Sequence, residues 1–170
     1  MTDPAPLILS LALDPASQIR LDQLRQAYFP PERNHLPAHL TLFHALPGAA
    51  LAEIGATLSA LAAATAPLPL RFGGWRGLGR GVACVVESPA LLALRSGLAR
   101  DWQGWLTPQD RQGFRPHVTV QNKVEPEAAR ALLGDLQARV PPWAGLGRGL
   151  LLWHYRGGPW EAAGEFTFAA

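Results

Sequence analysis

The sequence predicts a mixed α and β protein in which one structural unit occurs twice. Apolar runs of strand length alternate with segments of helical periodicity along the whole chain. The tetrad His-Leu-Thr-Leu that begins at His39 returns 78 positions later as His-Val-Thr-Val, which begins at His117. Both tetrads lie between comparable stretches of strand and helix. We therefore expect a strand–helix–strand–helix–strand unit in each half of the chain, with the two units related by an approximate twofold axis.

The first half contains the elements of this unit in order. An apolar run over 7–13 predicts a strand, and Asp14-Pro15 after it suits an N-cap and first helical position. The helix that follows has apolar residues at positions 21, 24 and 28 and ends at Pro30-Pro31. A strand over 39–46 ends at a Pro-Gly pair, a second helix has its apolar stripe at 51, 54, 58 and 61, and a strand over 68–72 precedes a glycine-rich loop over 73–81.

The second half repeats this order. A strand is expected over 82–87, and Ser88-Pro89 begins a helix whose apolar stripe includes Trp102 and Trp105. A polar loop leads into a strand over 117–124, and apolar residues at every fourth position from 128 to 140 predict another helix. Strands over 150–155 and 165–168 complete the chain. We place the repeats at about 6–79 and 80–160, with the last strand in 161–170, within one domain of two lobes over 1–170.

Composition narrows the class of protein. The chain has 170 residues, of which 48% are hydrophobic and 16% charged, as in a globular domain. The only cysteine, Cys84, lies in an apolar run, which suggests a buried thiol in a reducing compartment. The first residues do not have the pattern of a signal peptide, and no apolar run approaches the roughly 18–20 residues that cross a bilayer. We therefore expect a soluble, cytoplasmic protein.

The two tetrads combine polar and apolar faces in a way that suggests a shared site. In an extended strand, alternate side chains point to the same face. His39 and Thr41 therefore share one face, as do His117 and Thr119, while the aliphatic residues of each tetrad face a core. A single histidine on a strand is more often structural than catalytic. Because the pair occurs at corresponding points of a repeat, we expect the two polar faces to meet across one cleft.

This set of groups suits phosphodiester chemistry without a metal. Histidine has an unperturbed pKa of about 6.5, so one imidazole can accept a proton while a second donates one. Threonine hydroxyls can donate hydrogen bonds to phosphate oxygens, where negative charge develops. One imidazole would activate water or a ribose hydroxyl, and the other would protonate the leaving oxygen.

The paired His-x-Thr-x tetrads resemble those of the two-histidine phosphoesterase superfamily, which includes the RNA 2',3'-cyclic phosphodiesterases, also called 2'-5' RNA ligases. The resemblance covers essentially the whole chain. It implies an α+β fold of two lobes, with two antiparallel sheets lining a central cleft and helices outside. It also implies action on 2',3'-cyclic phosphates or 2'-5' linkages without metal or cofactor. Carried over by motif, His39 and His117 are the acid–base pair, and Thr41 and Thr119 bind phosphate; the motif does not say which histidine is the acid.

Four further residues are candidates for substrate contacts. By alternation, Phe43 and Gln121 lie on the cleft face of their strands, and Tyr155 ends a later strand. An aromatic side chain there could stack on a nucleobase, although simple packing explains it equally well. Members of the resembled family carry a basic residue shortly after the second motif, and the nearest one here is Lys123.

The other histidines have simpler interpretations. By parity His44 and His154 share a face with apolar residues, so we expect structural roles, and His35 lies in a loop. Strand alternation places His39 and His44 on opposite faces, and Pro37 prevents a helix that would align His35 with His39. A metal site built from these three is therefore not expected.

Two hypotheses for function follow. The first is a phosphoesterase that hydrolyses 2',3'-cyclic phosphates or 2'-5' linkages at RNA ends or in small nucleotides, with 2'-5' RNA ligation as a second activity. Hydrolysis is favoured because the formal charge of only +2 gives little help in holding two polynucleotide ends. The second is a protein that binds RNA or nucleotides in the same cleft without turnover. A monomer is the expected state.

Overall fold

Strands and helices alternate through the computed structural model, which describes residues 4–170. In chain order they are β1 (Leu7–Leu13), α1 (Pro15–Tyr28), β2 (Leu40–Leu46), α2 (Leu51–Ala63), β3 (Leu68–Gly77), β4 (Val82–Glu87), α3 (Pro89–Asp101), α4 (Pro108–Arg111), β5 (His117–Gln121), α5 (Pro126–Arg139), β6 (Trp143–His154) and β7 (Glu161–Thr167). Single 3-10 turns lie at Pro31–Arg33 and Gly48–Ala50. No helix in the described part of the chain has the length and apolar character of a bilayer-spanning segment.

The strands form antiparallel pairs in the order β2-β1-β6-β3-β4-β5, and β7 pairs with β6. The long strand β6 belongs to both halves, since residues 143–147 pair with β3 and residues 147–154 pair with β1. Each lobe therefore takes its third strand from the other repeat: β6 completes β1 and β2, and β3 completes β4 and β5. The predicted α+β class with antiparallel sheets is confirmed, and β6 makes the two sheets continuous.

Local sequence explains where the helices begin. The Asp14 carboxylate accepts a hydrogen bond from the Ser17 amide at 3.1 Å, and the Ser88 hydroxyl accepts one from the Leu91 amide at 3.1 Å. A proline follows each cap, in the first turn where no amide hydrogen is needed. These two helices stand at corresponding places in the repeat, so the same start signal serves both lobes.

Apolar side chains from the strands and helices form one buried core. Its fully buried members include Leu40, Leu42, Val118 and Val120, the aliphatic positions of both tetrads. As expected, these positions anchor the two motifs in the core. Cys84 is also fully buried, and burial raises the pKa of its thiol to about 12.

Several element boundaries differ from expectation, and β5 ends at Gln121 rather than at position 124. The glycine-rich stretch predicted as a loop continues β3 as far as Gly77, because it pairs with β4 through Gly77 and Val82. Glycine is required at position 73, where a Cβ would lie 2.5 Å from Cβ of Pro142. Strand β6 begins seven residues earlier than predicted, because its first part pairs with β3. The last strand begins at Glu161 rather than at position 165, through its pairing with β6.

An irregularity occurs directly after the threonine in both motif strands. In β2, Thr41 pairs with Ser10 while Phe43 pairs with Leu9, so Leu42 is an extra residue. In β5, Thr119 pairs with Ala83 while Gln121 pairs with Val82, so Val120 is extra. Each insertion is a β-bulge, which breaks simple alternation of side chains beyond it. The bulge is thus a duplicated feature of the fold.

Candidate active site

The two motifs lie on strands that face each other between the lobes. Strands β2 and β5 are at opposite ends of the strand order and contact one another. His39 stands one residue before β2, and His117 is the first residue of β5. The fold therefore brings the two motif strands into contact, and each has its histidine at its amino-terminal end.

Both imidazoles are held in the same tautomer. Nδ1 of His39 lies 2.8 Å from the carbonyl oxygen of Pro37, and Nδ1 of His117 lies 2.8 Å from that of Arg115. A carbonyl oxygen can only accept, so each Nδ1 carries the hydrogen. In both neutral rings Nε2 is then free to accept a proton, as a general base must.

The surroundings lower the pKa of both histidines below 6.5. For His39 burial is the largest cause, opposed by the hydrogen bond to Pro37. The positive charges of Arg25, His117 and His44 lower it further. For His117 burial again comes first, opposed by the bond to Arg115, and the charges of Arg76, His44 and Arg115 add to the lowering. The lowered pKa values favour the neutral form of each ring in the free protein.

Two cavities are each lined by one polar residue from each motif, in a crossed arrangement. A cavity of about 500 Å³ is lined by His39 of the first motif and Thr119 of the second. A cavity of about 280 Å³ is lined by Thr41 of the first motif and His117 of the second. We call them the His39-side cavity and the His117-side cavity. Each pairs an imidazole from one repeat with a threonine from the other.

Buried arginines fix this crossed arrangement. Arg25 of α1 is 4% exposed and donates through Nη1 to the carbonyl of Thr119 at 2.9 Å. Arg95 of α3 is 7% exposed and donates through Nε to the carbonyl of Leu42 at 3.1 Å. Each helix thus reaches from its own repeat to the motif strand of the other. Bonds from a charged donor to these carbonyls hold β2 and β5 in register across the cleft.

The bulges move two predicted contact residues away from the cleft. Phe43 is fully buried, with its ring 5.3 Å from that of Trp102 and 4.2 Å from the Arg95 guanidinium. Gln121 is 6% exposed, and its Oε1 has no partner among the described residues. Neither residue lines either cavity. Alternation placed them on the cleft face, and the extra residue after each threonine is the reason that they lie in the interior.

The residues that follow the two bulged segments line the cavities instead. Asn122 lines the His39-side cavity, and His44 lines the His117-side cavity. The expected core position of His44 is wrong: its side chain is 46% exposed, and its Nδ1 donates to Asp110 at 3.0 Å. The sequence alone could not show this, because the alternation rule assumes an unbroken strand.

Tyr155 and Lys123 have different positions. Tyr155 is exposed and lines the His39-side cavity, together with Phe29 and Trp160. The Trp160 ring lies 4.7 Å from that of His39. Lys123 has a positive φ of 63° just after β5 and lines neither cavity. The structure therefore brings Tyr155 to the motif residues but not Lys123.

Several residues of the site were not found from sequence. They are Arg25, Arg95, Trp160, Asp110, Arg76 and Arg115. Arg25 had a detectable signal, since it falls on the buried stripe of α1 after Ser17 and Leu21. An arginine on an apolar stripe needs a buried acceptor. Trp160 and Asp110 lie outside the long periodic segments, where periodicity gives no information.

Among residues 4–170 there is no group of three or more His, Cys, Asp or Glu side chains placed to hold a metal ion.

Comparison with known proteins identifies the family. The family model described as the 2'-5' RNA ligase superfamily matches residues 13–159. The chain matches no curated protein in sequence.

Among solved structures it is similar to TT0787 of Thermus thermophilus, with 20% identity and a TM-score of 0.68 over 96% of this chain and 97% of that one. It is also similar to E. coli LigT complexed with NADP+, with 19% identity and a TM-score of 0.62 over 99% of this chain and 100% of that one. A structure titled phosphoesterase has 18% identity and a TM-score of 0.65, over 99% of this chain and 100% of that one. The fold is shared with these structures, and the chain belongs to the 2'-5' RNA ligase superfamily.

Proposed function

We propose that the protein is a cytoplasmic phosphoesterase that hydrolyses a 2',3'-cyclic phosphate or a 2'-5' phosphodiester of RNA or of a nucleotide without a metal. In 2'-5' ligation a ribose 5'-hydroxyl would take the place of water: its oxygen bonds to phosphorus, the bond from phosphorus to O3' breaks, and a 2'-5' linkage with a free 3'-hydroxyl remains. His39 and His117 serve as acid and base, and Thr41 and Thr119 bind the phosphate. The observation that carries the proposal is the crossed pairing of the motifs, in which each cavity joins an imidazole of one repeat to a hydroxyl of the other.

The steps of hydrolysis follow from the free Nε2 atoms. Nε2 of one neutral histidine takes a proton from water, and the water oxygen forms a bond to phosphorus. The bond from phosphorus to the leaving ribose oxygen breaks. Nε2–H of the second histidine, which is protonated, gives its proton to that oxygen. The product is a phosphomonoester in the cyclic case, and the two histidines exchange protonation states.

The threonines supply stabilisation during this step. Negative charge builds on the oxygens of the five-coordinate phosphorus, and two hydroxyl donors held by rigid strands need no rearrangement to meet it. Thr41 and Thr119 are both partly buried, so water competes less well for their hydrogen bonds than at an exposed position. The arginine contacts to β2 and β5 hold the strands that carry them.

The base of a nucleotide fits the aromatic side of the cleft. Phe29, Tyr155 and Trp160 line the His39-side cavity, and base stacking on aromatic rings tolerates any base. Solved structures of the similar E. coli LigT contain ATP, phosphate and 3'-AMP. These ligands support a phosphorylated nucleotide as the substrate class here.

The test is turnover of a panel of 2',3'-cyclic nucleotides and 2'-5' dinucleotides by the purified protein, with and without EDTA. The variant His39→Ala/His117→Ala is the blank, and His154→Ala is the matched control. We expect turnover that EDTA leaves unchanged and that the double variant abolishes. Turnover lost on addition of EDTA would refute the metal-free mechanism, and tight nucleotide binding without product would favour a binding protein.

A further inference from the structure

Two arginines and a histidine from different elements meet in the His117-side cavity. Arg76 comes from β3, Arg115 stands two residues before β5, and His44 comes from β2. None belongs to the two tetrads. Their convergence is a product of the fold, since they are separated by 32 positions or more along the chain.

Within residues 4–170, neither arginine forms an ion pair with a carboxylate. The ion pairs of the described residues are His44–Asp110, Arg80–Glu125, Arg139–Asp135 and Arg156–Glu161. The pKa of Arg76 is lowered, first by burial and then by the charge of Arg115. Like charges that repel one another in a partly buried site are costly, and a bound anion would relieve that cost.

The carboxylate that lines the cavity is already fully engaged. Asp110 is 1% exposed and accepts hydrogen bonds from the backbone amides of His44 and Ala45 and from the His44 ring. The ring bond fixes Nδ1 as a donor to the carboxylate, which leaves Nε2 as the free nitrogen of His44. Asp110 thus positions His44 rather than neutralising the arginines.

We propose that Arg76, Arg115 and His44 form a subsite for a second phosphate group of the substrate, separate from the phosphate that reacts. This inference rests on the proposed function and names its substrate class. A nucleotide or oligonucleotide with at least two phosphates would place its base on the aromatic His39 side and the additional phosphate on the His117 side. A nucleoside with a single phosphate would leave this subsite unfilled.

Binding of product-like ligands tests the subsite independently of turnover. The ligands are adenosine 2'-monophosphate, adenosine 2',5'-bisphosphate and a 2'-5'-linked diadenosine that ends in a 2'-phosphate. Their dissociation constants are measured by calorimetry at one pH and one ionic strength. The protein is compared with Arg76→Gln/Arg115→Gln and with Arg71→Gln/Arg100→Gln, a control that removes two exposed arginines outside both cavities.

We expect at least one doubly phosphorylated ligand to bind about tenfold or more tightly than the monophosphate, as for a charge-assisted contact. The Arg76→Gln/Arg115→Gln variant should lose this preference, and the control variant should keep it. If the double variant does not fold by circular dichroism, Arg115→Gln, at an exposed position, replaces it.

A preference below about twofold for both doubly phosphorylated ligands would overturn the subsite, as would a preference that survives loss of both arginines. Either result would count against the subsite alone, and the proposed hydrolysis of cyclic phosphates would still stand. Conversely, absence of turnover with an intact binding preference would count against the proposed function alone.

Discussion

The His39 side and the His117 side of the cleft share a plan and differ in the ligand chemistry that they offer. On both sides an imidazole has Nδ1 fixed by a carbonyl two residues earlier, and a buried arginine of the same repeat donates to a carbonyl of the other repeat's motif strand. Around these shared parts, the first side has three aromatic rings and Arg33, and the second has Arg76 and Arg115 with one aromatic ring, Phe114. Under the proposed function, the duplicated strands carry the chemistry and the segments around them determine what binds.

Replacing each histidine in turn is the most severe test of whether the two sides contribute equally to catalysis. His39→Ala and His117→Ala should each lower kcat for a 2',3'-cyclic nucleotide by about 10²–10⁴-fold, because each removes one proton carrier. The folded state should persist, with an unchanged far-ultraviolet circular dichroism spectrum. A loss confined to one of the two variants would break the comparison and leave a single catalytic histidine.

The threonines should show a smaller, again symmetrical, effect. Thr41→Val and Thr119→Val keep side-chain shape and remove one hydroxyl donor each, so each should lower kcat by roughly 10²–10³-fold. Steady-state kinetics on the same substrate gives the values. Substitutions that raise KM and leave kcat unchanged would assign the hydroxyls to ground-state binding instead.

The crossing arginines should affect stability more than chemistry. Arg25→Met and Arg95→Met each leave strand carbonyls without their charged donor, which should lower the free energy of unfolding by about 2–3 kcal/mol. Urea denaturation measures this, with the exposed Arg100→Met as control. A change of less than about 0.5 kcal/mol would show that these bonds do not hold the lobes together.

The pH profile should show the smallest effect, a displacement of its maximum. Burial and neighbouring positive charges lower the pKa of both histidines, so both limbs of the kcat/KM profile should lie below 6.5. The bell should therefore reach its maximum below pH 6.5 and fall as the pH rises to 8. Arg76→Gln should raise the pKa of His117 and so shift only the limb of the profile that this histidine controls to higher pH. A maximum above pH 7.5 would contradict the environment described for the two rings.

The sequence predicted the parts of the site that depend on local pattern. The core positions of the aliphatic residues in both tetrads and the helix starts at Asp14 and Ser88 follow from spacing and capping, and the fold confirms them. The doubled motif was informative because one strand pattern alone has many structural explanations.

What escaped prediction depends on partners far away in the chain. The bulges after Thr41 and Thr119 arise from pairing with β1 and β4, and they carried Phe43 and Gln121 into the interior. The pairing of His44 with Asp110 joins residues 66 positions apart. The alternation rule assumes that each strand pairs without interruption. It cannot locate a bulge residue, because the bulge forms against a partner strand that is distant in the sequence.

The central claim is that two imidazoles hold one phosphorus between them. Nuclear magnetic resonance of the ring nitrogens, recorded while adenosine 2'-monophosphate is added, tests it most directly. A phosphate bound between the rings should raise the pKa of both His39 and His117, because a nearby anion stabilises each protonated form. The two changes should follow one dissociation constant. A response from one histidine only, or two different dissociation constants, would show that the motifs do not share a phosphate.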